Sequence, residues 1–229
     1  MTVVAVAGLR REAKIASGEG VTAIACGGNG DLLRETLRAS AAGARGIISI
    51  GIAGGLAPGL APGDWVIASG VVADGVRIAT NNSWSQRLLQ ALPSAVYADI
   101  SGVDAPVVAQ ADKRALHEST GTVAVDMESH IAAKIAARYG VPFAACRVII
   151  DPAERTLPPA ALVGMRADGR PDVFAVIRSL CQQPRQVFAL LRVVADARAA
   201  RSALFRGRRR LGENLSFPGA AELQLNPSV

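Results

Sequence analysis

The stretch Gly121-Thr122-Val123-Ala124-Val125-Asp126-Met127-Glu128-Ser129 decides the fold that we expect for this chain of 229 residues. Its β-branched start is typical of a buried strand, and the pattern becomes helical from Met127 onward. Two carboxylates, Asp126 and Glu128, lie at this junction, and residues two apart do not share a helix face. We therefore expect Asp126 to cap the helix and Glu128 to reach into whatever lies at the strand end. The alternative, that both acids are caps or solvated first-turn residues, stays open on spacing alone.

A second apolar run that ends in an acid follows, from Phe143 to Asp151. Parallel strands of α/β sheets are apolar along their length, and ligands bind at their carboxyl ends. Because both runs end in acids, we expect Glu128 and Asp151 to converge on one crevice.

Composition limits the class of protein. Half of the residues are hydrophobic, so the chain can bury one sizeable core as a single domain. The net charge of +6 comes mostly from arginines, many of them between Arg198 and Arg210, which leaves the main body close to neutral. A general nucleic-acid-binding surface is not indicated, and aromatic residues at 4% are too few for a base-stacking platform.

Cys26, Cys146 and Cys181 show no CxxC or metal-ligand spacing, which predicts free thiols in a reducing compartment and no metal site. The N-terminus lacks the pattern of a signal peptide, and no run of about eighteen apolar residues occurs. We expect a cytoplasmic protein without a cofactor.

Strand-like and helix-like segments alternate along the chain, which predicts an α/β fold. We expect a single domain over 1–205, with a mixed, mostly parallel central sheet flanked by helices. A basic and then polar C-terminal tail over 206–229 is expected to be loose. The segment 74–104 is polar and is expected to be a long loop. Strands are expected at 2–7, 21–26, 46–50 and 64–73, and helices at 112–118, 127–139, 159–165 and 171–205, the last interrupted at Pro184.

The glycine-rich stretch 51–59 follows the third expected strand. It lacks the GxGxxG spacing of a dinucleotide fold and the lysine of a P-loop. Glycines after a strand let a ligand approach the backbone, although a tight turn would explain them equally well.

Four motifs occur in a characteristic order: Gly8 followed by charges, Gly51-Ile52-Ala53-Gly54-Gly55-Leu56, Ala124-Val125-Asp126-Met127-Glu128, and Val148-Ile149-Ile150-Asp151. In this order the chain resembles the purine nucleoside phosphorylase/methylthioadenosine nucleosidase superfamily over about residues 3–151. A closer resemblance is to the bacterial hopanoid-associated phosphorylases, through Asp126-Met127-Glu128-Ser129-His130, Asp151-Pro152-Ala153 and Leu157-Pro158-Pro159-Ala160. Members of that group are thought to remove adenine from adenosylhopane.

The resemblance implies roles for individual residues. Glu128 would accept hydrogen bonds from the ribose hydroxyls, Met127 would pack on the sugar, and Asp151 would protonate or hydrogen-bond N7 of the purine. The remaining candidates for substrate binding are Gly51, Ala53 and Gly54 beside the ribose, Val107 beside the base, and Asp126.

This assignment agrees with the chemistry of glycosidic bonds. Cleavage develops positive charge on the sugar and negative charge on the base. A carboxylic acid with a raised pKa can relieve the second charge, and a carboxylate on the hydroxyls can hold the sugar.

The nucleophile is where the sequence departs from the phosphorylase pattern. Phosphorolytic relatives carry Gly-Asp-Pro-x-Arg near the N-terminus, whereas here Gly8-Leu9-Arg10-Arg11-Glu12 ends in an acid, and Ser49 replaces a second phosphate-binding arginine. Nucleosidase relatives use an N-terminal glutamate to activate water, which makes Glu12 a candidate catalytic residue. Arg10 and Arg11 are candidate phosphate ligands, with a solvated helix start as the alternative.

From the resemblance we expect phosphorolysis with inorganic phosphate as co-substrate. A methylthioadenosine/S-adenosylhomocysteine-type nucleosidase that uses water is the alternative, and a non-catalytic nucleoside-binding protein is a second one. Neither His117 nor His130 lies near the N-terminus, where relatives bind the ribose 5′-hydroxyl, so a 5′-substituted adenosine fits. Relatives are oligomers, which implies a homo-oligomer here.

The run from Val187 to Val194, followed by arginines, has the composition of a basic amphipathic segment. Since a hopane is a lipid, this segment is a candidate for peripheral contact with the inner leaflet of the membrane. The alternative is a last helix that packs on the core.

Overall fold

The computed structural model describes residues 2–158, 187–219 and 222–223. Within them, strands and helices alternate along the chain. The strands are β1 (Thr2–Ala7), β2 (Val21–Ala25), β3 (Ala44–Gly55), β4 (Trp65–Ala73), β5 (Val76–Ala79), β6 (Val96–Gly102), β7 (Ala124–Asp126) and β8 (Phe143–Asp151). The helices are α1 (Arg10–Ala16), α2 (Gly30–Ala41), α3 (Asn82–Ala91), α4 (Gln110–Thr120), α5 (Ser129–Tyr139) and α6 (Val187–Arg210).

The strands form one mixed sheet in the order β2-β1-β3-β7-β6-β4-β5, and β8 pairs with both β3 and β4. Five pairs of neighbours are parallel and three, β3–β7, β4–β5 and β4–β8, are antiparallel. The predicted fold class, an α/β domain with a mixed and mostly parallel sheet flanked by helices, is confirmed. The pairings β3–β7–β6–β4–β8–β3 form a closed circuit of five strands, which we call the ring.

Two apolar layers cover the sheet. Leu37 of α2 and Ile131 of α5 belong to one buried cluster, and Trp84 of α3 and Leu204 of α6 belong to the other. Each fully buried side chain of this size contributes roughly 1.5–3 kcal/mol relative to exposure. The helices are therefore held by their apolar faces, as the periodicity predicts.

The long loop expected over 74–104 is wrong, because this segment forms β5, α3 and β6. The polar residues that suggested a loop begin a helix: the Asn81 side chain accepts a hydrogen bond from Trp84 N at 3.0 Å. Trp84 is fully buried, and its Nε1 donates to Leu215 O at 2.9 Å. Asparagine before an apolar residue is a helix-start signal as well as a turn signal.

The strand expected to end at Ile50 continues through Gly55, so most of the glycine-rich stretch is strand rather than turn. Between Ile50 and Gly55, β8 accompanies β3 as a parallel partner, which supplies the backbone hydrogen bonds that a strand requires.

The C-terminal region is more ordered than we expected. Helix α6 runs through Arg210, and Leu211, Leu215 and Phe217 are buried beyond it. Arg208 donates from Nε to Ala16 O at 2.9 Å and thereby ties this region to α1. The loose tail expected from residue 206 onward is thus wrong as far as residue 219. The expected helix 159–165, the first part of the expected helix 171–205, and Cys181 lie outside the described residues.

None of the described helices is long and apolar enough to cross a membrane.

Candidate active site

The candidate site lies where two strands approach the same edge of β3 from opposite directions. Strand β1 pairs with β3 as far as Val6 and Ser49, and β7 pairs with it only at Gly54 and Gly55. Strand β8 runs along the other edge. On the first edge, residues 50–53 therefore have no strand partner among the described residues.

Side chains fill this gap because two glycines leave room for them. A Cβ at Gly8 would lie 2.9 Å from Glu128 Oε1, and a Cβ at Gly51 would lie 2.6 Å from Glu12 Oε2. Both distances are shorter than any contact that a real Cβ makes. The two carboxylates consequently pack directly against bare backbone, as glycine alone permits.

Arg147 lies at the centre of the gap, on β8 opposite Gly51, and is completely buried. Its Nε is 2.7 Å from Asp126 Oδ2, and its Nη2 is 3.4 Å from Glu128 Oε2. Glu12 also interacts with it electrostatically. Three carboxylates thus surround one guanidinium, an arrangement that we call the sugar end of the site.

Sequence reasoning missed Arg147. The available signal was a charged residue inside the otherwise apolar run from Phe143 to Ile150. A buried charge requires partners, so an arginine in a buried strand indicates that acids lie close to it.

Burial raises the pKa of Glu128 to about 7, against an opposing effect of Arg147 and with reinforcement from Asp126 and Glu12. Burial also raises the pKa of Glu12, although Arg147 and the backbone N–H groups of Leu9 and Gly8 lower it. Because three acids share one cation, the sugar end retains a proton close to neutral pH.

Glu12 is positioned by the first turn of α1. Its Oε2 accepts hydrogen bonds from Gly8 N at 3.1 Å and Leu9 N at 3.2 Å. Its Oε1 is buried and has no hydrogen-bond partner among the described residues. Buried polar atoms are rarely left unpaired, so this oxygen is available to a bound molecule.

Glu128, not Asp126, occupies the N-cap position of α5, but one oxygen of Asp126 still accepts hydrogen bonds at the start of this helix, from Glu128 N at 3.0 Å and Ser129 N at 2.7 Å. Its other oxygen contacts Ser129 Oγ and Arg147. Since both oxygens are engaged, this geometry does not support the predicted role of Asp126 as a substrate contact. It orients Glu128 and Arg147 instead.

The other candidate residues border the same region. Met127 is half-buried, with its Cε 3.9 Å from the position of a Cβ at Gly28. Ala53 is buried in the unpaired part of β3, and Val107 is half-buried in the segment between β6 and α4.

Asp151 ends β8 beside Gly54, and we call this the base end. Its Oδ1 lies 3.3 Å from the position of a Cβ at Gly54, while its Oδ2 contacts Nζ of Lys113, a fully buried residue of α4. Burial raises the pKa of Asp151, and Lys113 opposes that rise. Lys113 does not stand out in the sequence, because the α4 segment is mostly polar.

The strands that carry the two acids differ from the arrangement that we expected. Strand β7 is antiparallel to β3, whereas β8 is parallel to it, so β7 and β8 run in opposite directions. Glu128, which follows β7, and Asp151, which ends β8, are therefore brought to β3 from opposite directions. The expectation that they follow parallel strands was wrong.

Arg10 and Arg11 are exposed in the first turn of α1. Neither makes a hydrogen bond or ion pair with another residue in the part of the chain that the structure describes. Their placement agrees with a solvated helix start and does not support the predicted phosphate site. The described residues also contain no group of three or more His, Cys, Asp or Glu side chains that could hold a metal ion.

Solved structures of nucleosidases share this fold. The S-adenosylhomocysteine nucleosidase of Streptococcus pyogenes, in complex with 5-methylthiotubericidin, is 17% identical with a TM-score of 0.61 and covers 86% of this chain and 97% of its own. The 5′-methylthioadenosine/S-adenosylhomocysteine nucleosidase of Colwellia psychrerythraea, in complex with adenine, is 15% identical with a TM-score of 0.63 and covers 80% of this chain and 95% of its own. Futalosine hydrolase of Helicobacter pylori is 17% identical with a TM-score of 0.59, covering 80% and 98%. At these identities the likeness establishes the fold alone.

No curated protein matches the sequence. The family comparison is decisive, because the phosphorylase superfamily matches residues 15–180, which is more than half of the chain. The superfamily resemblance predicted from the four motifs is thereby confirmed, and the chain belongs to the phosphorylase superfamily.

Proposed function

We propose that this enzyme cleaves the N-glycosidic bond of a 5′-substituted adenosine and releases adenine, with water as the acceptor of the ribosyl group. The observation that carries this proposal is the buried Oε1 of Glu12, which has no partner among the described residues and lies on a carboxylate beside Arg147. A phosphate ion at this position would be repelled by three carboxylates, whereas a water molecule needs only one acceptor for its proton.

The residues then divide the chemistry between them. Glu12 takes a proton from water, and the water oxygen forms a bond to C1′ as the bond from C1′ to N9 breaks. The electron pair of that bond leaves with adenine, and Asp151 donates a proton to N7. The raised pKa of Glu12 makes it a stronger base, and burial of Asp151 favours the protonated form that it needs.

Glu128 is proposed to hold the ribose hydroxyls. It lies against the bare backbone of Gly8 and next to Arg147 Nη2, so its carboxylate is fixed at the sugar end. A carboxylate that orients the sugar reduces the entropy lost on the way to the transition state.

The substrate that we propose is adenosylhopane, with methylthioadenosine as the simpler alternative. Support comes from the resemblance of the sequence at residues 126–130, 151–153 and 157–160 to the hopanoid-associated group. One ring nitrogen of each described histidine has a partner in the protein: His117 Nδ1 lies 2.8 Å from Thr122 O, and His130 Nε2 lies 3.2 Å from Asp104 Oδ1. A 5′ carbon that carries an alkyl group would not need a histidine.

The first test measures adenine release from adenosylhopane, methylthioadenosine and S-adenosylhomocysteine in H₂¹⁸O, with and without phosphate. Hydrolysis places ¹⁸O on C1′ of the sugar and does not depend on phosphate. Glu12→Gln should remove this activity, whereas Glu35→Gln, on the exposed surface of α2, should retain it. Release of a ribosyl 1-phosphate without ¹⁸O at C1′ would contradict water as the acceptor.

Phosphorolysis is the second candidate, and the same resemblance to the hopanoid-associated phosphorylases favours it. In that case adenine release requires phosphate, and Glu12 is not the base. A non-catalytic nucleoside-binding protein would bind these compounds and release no adenine from any of them.

Contact with a membrane is a separate proposal. Phe188, Leu191 and Val194 are exposed on one stretch of α6, with 76%, 61% and 42% of their surfaces accessible. Arginines of the same helix lie near them, and such segments bind anionic lipid surfaces. Sedimentation with phosphatidylglycerol vesicles tests this: Phe188→Ser with Leu191→Ser should reduce binding, and equal binding of the variant would contradict it. Self-association through this face is the other outcome, which light scattering without vesicles detects.

A further inference from the structure

Lys113 is a buried charge that the proposed mechanism has not used. It is fully buried, and its Nζ contacts Asp151 Oδ2, Pro152 O at 3.0 Å and Arg155 O at 3.0 Å. An ammonium group has three donors, so each of them has an acceptor here. The group is therefore held in one position.

The packing of α4 does not account for a lysine at this place. Lys113 is the buried residue of this helix, whose other side chains are exposed or half-buried. A buried ion pair contributes little to stability in comparison with an apolar pair of similar volume, so an apolar residue would serve the fold as well. The acceptors of Lys113 belong instead to Asp151 and to the turn that directly follows it.

We propose that Lys113 is a positioning residue of the base end, which holds Asp151 by Oδ2 and leaves Oδ1, beside Gly54, to the departing purine. This inference rests on the proposed function. By joining Asp151 to the carbonyls of Pro152 and Arg155, Lys113 also fixes the turn from which the carboxyl group projects.

Lys113 influences the proton affinity of the Asp151 carboxyl group as well as the orientation of this group. Burial raises the pKa of Asp151 and the charge of Lys113 lowers it, while Asp196 of α6 raises it. Asp196 is itself paired with Arg155. Lys113→Met removes the largest effects that lower the pKa of Asp151, so this carboxyl group keeps its proton to a higher pH.

The test compares Lys113→Met and Lys113→Arg with Lys134→Met. Lys134 is a matched control, because it pairs with Asp74 at 2.8 Å but lies on the surface. The ¹³C titration of the Asp151 carboxyl, assigned from its absence in Asp151→Asn, should move up by at least about one pH unit in Lys113→Met, a tenfold change in proton affinity. The basic limb of the pH profile of kcat/KM should move in the same direction. Lys113→Arg should retain most of the wild-type behaviour, and Lys134→Met all of it.

An unchanged Asp151 titration in Lys113→Met would overturn the inference, and so would a pH profile of kcat/KM that stays in place while the titration moves, because a merely structural lysine would leave the pH dependence of the reaction unchanged. The carboxyl titration needs no substrate, so it still tests Lys113 if the wild-type protein releases no adenine and the proposed function fails. If Lys113→Met does not fold, Lys113→Gln takes its place, because it removes the charge and keeps a hydrogen-bond donor. The Asp151 titration should again move up in this variant, and an unchanged titration would overturn the inference.

Discussion

The two ends of the site bury their acids to the same extent but differ in the number of acids that share a cation. Glu128 at the sugar end and Asp151 at the base end are each 9% exposed. At the sugar end three carboxylates share the guanidinium of Arg147, so three negative charges would face one positive charge if all were ionised. At the base end, Asp151 has Lys113 to itself. The ratio of acids to cations, rather than burial, distinguishes the two ends.

This difference determines where a proton is held. Burial raises the pKa of Glu128 to about 7, and its acidic neighbours add to the rise. At the base end, the ammonium group opposes the effect of burial on Asp151. The sugar end therefore retains a proton because its acids repel one another. At the base end, one cation lowers the pKa of a single acid.

The largest difference between the two ends should appear in Arg147→Met, which removes the cation that the three acids share. Leaving buried charges without their partner costs roughly 3–5 kcal/mol. Urea unfolding should show a loss of this size, and the loss should grow as pH rises and more of the acids ionise. Arg77→Met, which affects a half-exposed pair with Asp99 on the surface of the sheet, is the control and should cost much less. Equal losses in the two variants would contradict the account.

Removing one acid from each end should lower activity. Asp151→Asn removes the proton donor and should reduce kcat by roughly 10²–10⁴-fold. Glu128→Gln should act mainly on binding and orientation of the ribose. Steady-state kinetics at several pH values separates these effects, and an Asp151→Asn enzyme with wild-type kcat would refute its role at the base end.

The two glycines that face the acids offer a sharper comparison. A Cβ at Gly51 would lie 2.6 Å from Glu12 Oε2 and 2.9 Å from Arg147 Nη1, whereas a Cβ at Gly54 would lie 3.3 Å from Asp151 Oδ1. Gly51→Ala must therefore displace charged groups, while Gly54→Ala needs a shift of a few tenths of an ångström. We expect the first substitution to lower kcat at least about tenfold more than the second, a difference of 1.4 kcal/mol in the barrier. Equal effects of the two alanines would show that Gly51 does not set the position of Glu12.

The last effect concerns the dependence of stability on pH. The pKa of Glu128 is about 7 in the folded protein against a usual value of 4.5, so the folded state holds the proton more tightly than the unfolded state. Its contribution is complete below pH 4.5 and is lost as pH rises to about 7. Thermal unfolding should therefore give a Tm that falls across this range, and Glu128→Gln should flatten the fall. Glu35→Gln, an exposed control, should leave the slope as it is.

The sequence was sufficient for features that depend on one segment at a time. The apolar runs and the helical pattern after Met127 predicted the α/β class. The motifs also led to Glu12, Glu128 and Asp151, all of which are buried in the structure. A short acidic motif at a strand end carries its own signal, because the strand, the turn and the acid are adjacent in sequence.

Features that depend on partners were missed. Lys113 becomes informative only when α4 lies beside the end of β8, which is not visible in the sequence. Arg147 stands out as a charge in an apolar run, but the acids that surround it come from other segments. The segment 74–104 was misjudged because asparagine and serine start helices as readily as they form loops. Strand β3 was cut short because glycines that make room for acids look the same in sequence as glycines in a turn.

The ring of five strands has a consequence for how this enzyme can change. Within the ring, Gly54 pairs with Asp151 and Gly51 pairs with Arg147. The backbone hydrogen bonds of this closed circuit of strands therefore fix the distance between the sugar end and the base end. Amide hydrogens of β3 and β8 should accordingly exchange last, in the unit that opens only on global unfolding. New substrate preferences should therefore arise in the segments outside the ring, such as 103–109, while the reacting groups keep their places.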